Sequence, residues 1–63
     1  MSNANINFIL EQYGDIADYY DMNTGYTYLI SGWRKLGKHG PIMIVDQNNT
    51  IIGSVMPDEK YCK

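Results

Sequence analysis

The chain has 63 residues, a net charge of −2 and a single cysteine. A chain of about 60 residues buries only about 60% of the surface that its unfolded form exposes, so we expect one small domain over residues 1–63. Because Cys62 is the only cysteine, an intramolecular disulfide and a cysteine-based zinc site are excluded. The isoelectric point near 4.9 argues against a domain that depends on phosphate contacts.

The sequence carries no sign of a membrane segment or a secretion signal. No apolar run approaches the roughly 20 residues that span a bilayer, and no charged segment at the start leads into an apolar one. An unpaired thiol also fits a reducing compartment better than a secreted one. We therefore expect a soluble, cytoplasmic protein.

Apolar residues in the first third of the chain recur with a helical period. At roughly 100° per residue they share an arc of about 120°. The members of this arc are Ile6, Ile9, Leu10, Tyr13, Ile16, Ala17 and Tyr20. The pattern predicts an amphipathic helix from about Asn5 to Asp21, capped by Asn3 or Asn5 and preceded by a loose tail over residues 1–4.

The end of this helix has a second interpretation, a β-hairpin. Gly14 costs about 1 kcal/mol inside a helix, and the carboxylate of Asp18 is unfavourable near a helix C-terminus. Residues 16–22 would then pair with residues 26–31. The segment Tyr19–Gly25 resembles the second hairpin of a WW domain, which implies a strand, a turn and a strand, although the second tryptophan and closing proline of that family are absent. The helix is the preferred prediction.

After Gly25 the composition changes to β-branched and aromatic residues, which predicts three strands. These are Tyr26–Ser31, Ile42–Val45 and Thr50–Val55. Asp46-Gln47-Asn48-Asn49 predicts a tight hairpin turn with Asn48 or Asn49 in the left-handed conformation. Gly53 predicts a bulge or a close backbone approach.

The remaining segments are predicted to be irregular. Gly32 to Pro41 is a glycine-rich loop, and Pro41 ends it where no ladder donor is needed. Residues 57–63 are expected to be a loose tail. The predicted fold class is α+β, with the N-terminal amphipathic helix packed on a three-stranded antiparallel sheet. The open edges of such a sheet make a homodimer plausible.

An acidic helix face is the first candidate site. Glu11, Asp15 and Asp18, spaced by four and three residues, would form a column on one side of the predicted helix. Such a column suits a partner protein with a basic surface. Phe8 and Tyr19 lie beside it and would supply the aromatic anchors that interfaces favour.

A basic loop is the alternative site. Arg34, Lys35 and Lys38 would neutralise phosphates while Trp33 stacks on bases, which is the pattern of a nucleic-acid-binding module. Three basic residues in an acidic chain support this hypothesis only weakly, so nucleic acid is the less favoured partner. The ordinary interpretation is a solvated loop with Trp33 folded onto the core.

Residues suited to catalysis are few. His39 is the only histidine, and nothing in the order of the chain places it beside Cys62 together with a third group that would orient it. We therefore expect no enzyme activity, no cofactor and no metal. The first functional hypothesis is a protein-binding domain, an inhibitor or adaptor of the kind that phages and mobile elements encode; the alternative is the nucleic-acid-binding module.

Overall fold

The computed structural model describes the backbone of residues 2–13 and 17–62 and the side chains of residues 6–13 and 17–62. It contains α1 (Ser2–Gln12), β1 (Tyr19–Asp21), β2 (Tyr26–Tyr28), α2 (Ile30–Lys35), β3 (Ile42–Val45), β4 (Ile51–Val55) and a 3-10 turn (Glu59–Tyr61). The strands form one antiparallel sheet in the order β1-β2-β3-β4. The α+β class is confirmed, but the sheet has four strands where the sequence predicted three.

The predicted helix from Asn5 to Asp21 is wrong at both ends. α1 begins at Ser2, so residues 2–4 are helical and Asn3 and Asn5 lie inside the helix instead of capping it. It ends at Gln12, and Tyr19–Asp21 is a strand. The strand Tyr19–Asp21 pairs with Tyr26–Tyr28, as the hairpin interpretation proposed. Tyr19 stacks on Tyr13 with ring centroids 5.8 Å apart and meets Tyr28 edge-on at 6.0 Å. These aromatic and cross-strand contacts outweigh the helical period of the apolar residues.

The turn between β1 and β2 is built from local hydrogen bonds. The carboxylate Oδ1 of Asp21 accepts from the Asn23 N–H at 2.9 Å, and Thr24 Oγ1 accepts from the Tyr26 N–H at 3.2 Å. Gly25 has φ +78°, a left-handed value that glycine adopts without steric cost. Asn23-Thr24-Gly25 therefore reverses the chain into β2.

Helix α2 lies where the sequence predicted the end of a strand and the start of a loop. Its C-terminus forms a Schellman motif: the Gly37 N–H donates to the Arg34 carbonyl and the Lys38 N–H to the Trp33 carbonyl, both at 3.0 Å. Gly37 supplies the left-handed residue at φ +87°. The predicted strand Tyr26–Ser31 is accordingly shortened to Tyr26–Tyr28.

The hairpin of β3 and β4 follows the sequence prediction closely. Asp46 Oδ1 accepts from the N–H groups of Asn48 and Thr50 at 2.8 and 3.0 Å, and Asn49 adopts φ +65°. The register shifts because Ile44 pairs with Gly53 whereas Val45 pairs with Ile51. The extra residue is Ile52, so the bulge predicted at Gly53 lies one residue earlier.

Both helices pack on one face of the sheet, here called the inner face. The shared core consists of Ile6, Ile9 and Leu10 from α1, Ile30 and Trp33 from α2, and Tyr28, Ile42, Ile44 and Val55 from the sheet. Side chains alternate along a strand, so Tyr20, Thr27, Met43, Val45 and Ile51 point to the other, outer face. Tyr13, Ala17 and Tyr20, which the sequence placed on the buried helix face, are exposed, and Ile16 of the same predicted face lies outside the described residues.

The C-terminal segment returns to α1. Pro57 is buried, and Asn7 Oδ1 accepts from the Asp58 N–H at 2.9 Å. Tyr61 and Cys62 pack against the core cluster. Residues 57–63 were expected from sequence to be a loose tail, but the described part, residues 57–62, is attached to α1. Among the described residues no helix is long and apolar enough to cross a membrane.

Candidate functional site

Glu11 and Asp18, two of the three carboxylates predicted as one column, do not share a helix. Glu11 lies in the last turn of α1, and Asp18 lies beyond the end of that helix, just before β1. Asp15 is outside the described residues. The predicted acidic helix face is therefore not formed by Glu11 and Asp18, because it required a helix that reached Asp21.

Asp18 is engaged in holding α2. Its Oδ1 atom accepts from both the backbone N–H and the hydroxyl of Ser31, each at 3.0 Å. Ser31 lies in the first turn of α2, where backbone N–H groups have no partner within the helix and a negative charge is favourable. The carboxylate acts as a capping group contributed from 13 residues away.

Glu11 is engaged as well. Its Oε1 atom accepts from the hydroxyl of Tyr61 at 2.7 Å. This hydrogen bond to the carboxylate raises the pKa of Tyr61. Glu11 and Asp18 thus each accept a structural hydrogen bond within the chain, and neither lines the groove described next.

The two aromatic residues predicted as anchors, Phe8 and Tyr19, lie in one groove. It runs between α1 and the inner face of β1 and β2, has a volume of about 150 Å³, and is lined by Phe8, Ile9, Tyr19, Asp21, Asn23 and Tyr28. These six residues are here called the aromatic groove. Phe8 is 61% exposed although it stands on the helix that carries much of the core.

The aromatic floor of the groove is pre-ordered. Tyr19 is held between Tyr13, on which it stacks with an interplanar angle of 28°, and Tyr28, which it meets at 65°. Tyr19 and Tyr28 are also direct cross-strand partners. A ligand that enters the groove therefore meets rings whose rotamers are already restricted, which lowers the entropy cost of binding.

An acidic residue, Asp21, is among those that line the groove. Asn23 lines it as well, and Asp21 Oδ1 is oriented by the Asn23 N–H. The pKa of Tyr28 is raised, first by burial of its hydroxyl and then by the negative charge of Asp21. Tyr28 thus keeps its proton, and the charge in the groove comes from Asp21.

The indole ring of Trp33, in the predicted basic loop, is not accessible to a ligand. Trp33 is 4% exposed and belongs to the core, and its Nε1–H donates to the carbonyl of Gly40 at 3.1 Å. Lys35 is exposed, whereas Arg34 and Lys38 are half-buried. The four residues proposed for nucleic-acid contact are neighbours in sequence, but the ring that was to stack on bases packs inside.

Groups suited to metal or nucleophilic chemistry are not gathered in the described part of the chain. No cluster of three or more His, Cys, Asp or Glu side chains there has the geometry to hold a metal ion. His39 is exposed, and the Sγ atom of Cys62 lies 3.6 Å from the carbonyl of Asp58.

Sequence reasoning missed Ile9, Asp21, Asn23 and Tyr28 as site residues. A signal for one of them, Asp21, existed. In the hairpin interpretation, Tyr19 and Asp21 are two residues apart on one strand, so they point to the same face. The pairing with Tyr28 and the position of α1 above that face could not be read from the local sequence.

No protein-family model matches this chain, and no curated protein or solved structure is significantly similar to it.

Proposed function

We propose that this protein is a small protein-binding domain that takes a Lys or Arg side chain of a partner into the aromatic groove. The single observation that supports this most directly is the combination, in one groove, of exposed aromatic surface with the carboxylate of Asp21. It keeps the sequence-based hypothesis of a partner with a basic surface, but moves the site from the acidic helix face to the groove.

The size of the groove favours a side chain over a free small molecule. Pockets for drug-sized ligands and cofactors measure roughly 300–1,000 Å³, whereas this groove measures about 150 Å³. A single Lys or Arg side chain is a suitable occupant, because its aliphatic part can pack on Phe8 and Ile9 while its charge reaches Asp21.

Two electrostatic contributions select a cation. A Lys or Arg group over an aromatic ring gains about 0.5 to 2 kcal/mol, depending on how far it is desolvated. The charge of Asp21, oriented by Asn23, adds a charge-assisted hydrogen bond in the same groove. An anion in this groove would be repelled by the Asp21 carboxylate and would gain neither the cation–π interaction nor the charge-assisted hydrogen bond.

The neighbouring strand edge can supply main-chain contacts. β1 is an edge strand, and an extended peptide segment can add to such an edge through backbone hydrogen bonds. Binding of this kind needs no reaction, which suits an inhibitor or adaptor. A cytoplasmic location, favoured by the unpaired thiol of Cys62, is part of the same proposal.

The test is selection of binding peptides from a random library displayed on phage, followed by NMR titration of the full chain with a selected peptide. We expect enrichment of Lys or Arg and chemical-shift changes at Phe8, Tyr19, Asp21 and Tyr28. Asp21→Asn removes the charge yet keeps an oxygen that accepts from the Asn23 N–H. It should weaken binding about fivefold, the equivalent of about 1 kcal/mol.

Glu59→Gln is the matched control, because it removes one negative charge at an exposed position on the 3-10 turn. It should bind the selected peptide as the unmodified chain does. Selected peptides that lack a basic residue, or that bind the Asp21→Asn and Glu59→Gln variants equally well, would contradict the proposal. Shifts confined to the surface around Lys35 would also contradict it.

A further inference from the structure

We infer that two copies of this chain pair through the free edges of β4, antiparallel about a twofold axis, to form one continuous eight-stranded sheet. The inference concerns the side of the sheet opposite β1 and does not depend on the aromatic groove. It follows from the exposure, the backbone direction and the absence of charge along β4.

The edge of β4 is open. β4 is the last strand of the sheet, and its first four residues, Ile51 to Ser54, are all exposed. Ile51 is 62% exposed and Ile52 44%. Contacts from α1 and the burial of Val55 are on the inner face, so within the described part of the chain this edge is uncovered.

The orientation of the backbone shows which N–H and carbonyl groups of β4 can pair with another strand. The Leu29 N–H donates to the Met43 carbonyl at 2.9 Å, so the backbone polar groups of Met43 point toward β2. Met43 pairs with Ser54 on its other side. Since hydrogen-bonded and non-bonded pairs alternate in an antiparallel ladder, the N–H and carbonyl of Ser54 point away from β3 to the open edge.

The composition of β4 favours a second copy over an unrelated partner. Natural edge strands are protected by charged residues, proline or β-bulges. Ile51-Ile52-Gly53-Ser54-Val55 contains no charged residue and no proline, and its bulge at Ile52 leaves residues 53–55 in regular register with β3. A twofold axis brings a strand against its own copy, so any charge on it would meet a like charge. The other edge strand, β1, contains Asp21 and is unsuited to self-pairing.

The register follows from these groups. With the axis at Ser54, the two Ser54 residues exchange N–H to carbonyl bonds, and Ile52 of one copy lies opposite Met56 of the other. Both side chains are large, apolar and exposed, at 44% and 49%. Pro57 has no N–H and ends the pairing. The apolar outer face around Met43 then continues from one copy into the next.

The oligomeric state tests the inference first. Light scattering coupled to size-exclusion chromatography, over a series of concentrations of the full chain, should give the mass of a dimer at the upper end. Ile52→Lys places a charge on the pairing edge and should give the mass of a monomer with an unchanged circular dichroism spectrum. Met22→Lys adds the same charge at an 85% exposed position in the β1–β2 turn and should remain dimeric.

A disulfide across the axis tests the register. Two Ser54 residues in a hydrogen-bonded pair would have Cα atoms about 5.5 Å apart, within the range that a disulfide spans. Ser54→Cys in a Cys62→Ser background should therefore form a covalent dimer on mild oxidation, and Asn48→Cys in the same background should not.

A monomeric mass at every concentration overturns the inference. A dimer that persists in the Ile52→Lys variant and does not crosslink through Ser54→Cys overturns it as well, and assigns the contact to another surface. Dissociation of such a dimer by Tyr20→Ser would identify the outer face of the sheet. None of these results alters the expected peptide binding in the groove.

Discussion

Single carboxylates in this chain perform structural tasks that their positions in the sequence do not reveal. Asp18 holds the start of α2, Asp46 holds the β3–β4 turn, and Asp21 holds the β1–β2 turn. In each case one oxygen accepts from backbone N–H groups that would otherwise lack a partner at a turn or helix end. Asp21 differs because it also faces a groove with aromatic walls.

Asp18→Ala should lower the free energy of unfolding by about 1 kcal/mol, because Ser31 loses the acceptor that satisfies its N–H and hydroxyl. Urea denaturation followed by tryptophan fluorescence measures the change. Asp18→Asn keeps an oxygen acceptor and should recover most of the loss. If the alanine variant is as stable as the unmodified chain, the carboxylate does not act as the cap of α2.

At the scale of elements, short helices and strands here depend on what flanks them. α2 has six residues, fewer than an isolated helix needs, and is held between the Asp18 cap and the Schellman motif at Gly37. β1 and β2 have three residues each and are held by the turn at Gly25 and by the rings of Tyr19 and Tyr28. The elements are thus stable in the assembled domain because their ends are fixed.

Alanine substitutions at Gly25 and Gly32 should have opposite effects on stability. Gly25→Ala should lower the free energy of unfolding by about 1 to 3 kcal/mol, because φ is +78° and the new Cβ would meet Gln47. Gly32 lies inside α2, and a methyl group there would meet no atom from outside the neighbouring helix backbone within 4 Å. Gly32→Ala should therefore raise the free energy of unfolding by up to about 1 kcal/mol through helix propensity.

Thermal denaturation of both variants in one buffer makes the comparison, and the two midpoints should move in opposite directions. Equal shifts of the same sign would show that backbone conformation is not what distinguishes the two positions. Gly53→Ala is a further control, since φ there is not left-handed and a Cβ meets nothing within 4 Å.

On the scale of the whole molecule, the C-terminal segment connects elements that are far apart in sequence. Asp58 bonds to Asn7 across 51 positions and Tyr61 bonds to Glu11 across 50. Pro57 is buried, and Tyr61 and Cys62 pack on the core. In a domain this small, where stability is a narrow difference between large opposing terms, such contacts matter.

Truncation after Met56 should lower the free energy of unfolding by about 1 to 3 kcal/mol, through lost burial of Pro57 and loss of the bond from the Asp58 N–H to Asn7. Urea denaturation measures it, with a chain that lacks only Lys63 as the control. An unchanged midpoint after the longer truncation would show that the segment does not stabilise the domain.

The sequence alone determined the features whose signals are local. The strand Ile42–Val45 and the turn Asp46–Asn49 were predicted as observed, because Asp46 and Asn49 act within five residues of one another. The apolar residues Ile6, Ile9 and Leu10 were assigned to a buried helix face for the same reason, since one helical turn places them together.

Tertiary structure decided the rest. In residues 19–21 the helical period competes with the strand preference of Tyr19 and Tyr20, and pairing with β2 favours the strand. The carboxylate that caps α2 comes from Asp18, which lies outside that helix. The groove forms only when α1 packs above the hairpin of β1 and β2. These contacts join residues distant in the chain, and the free energy that selects them appears only when the elements pack.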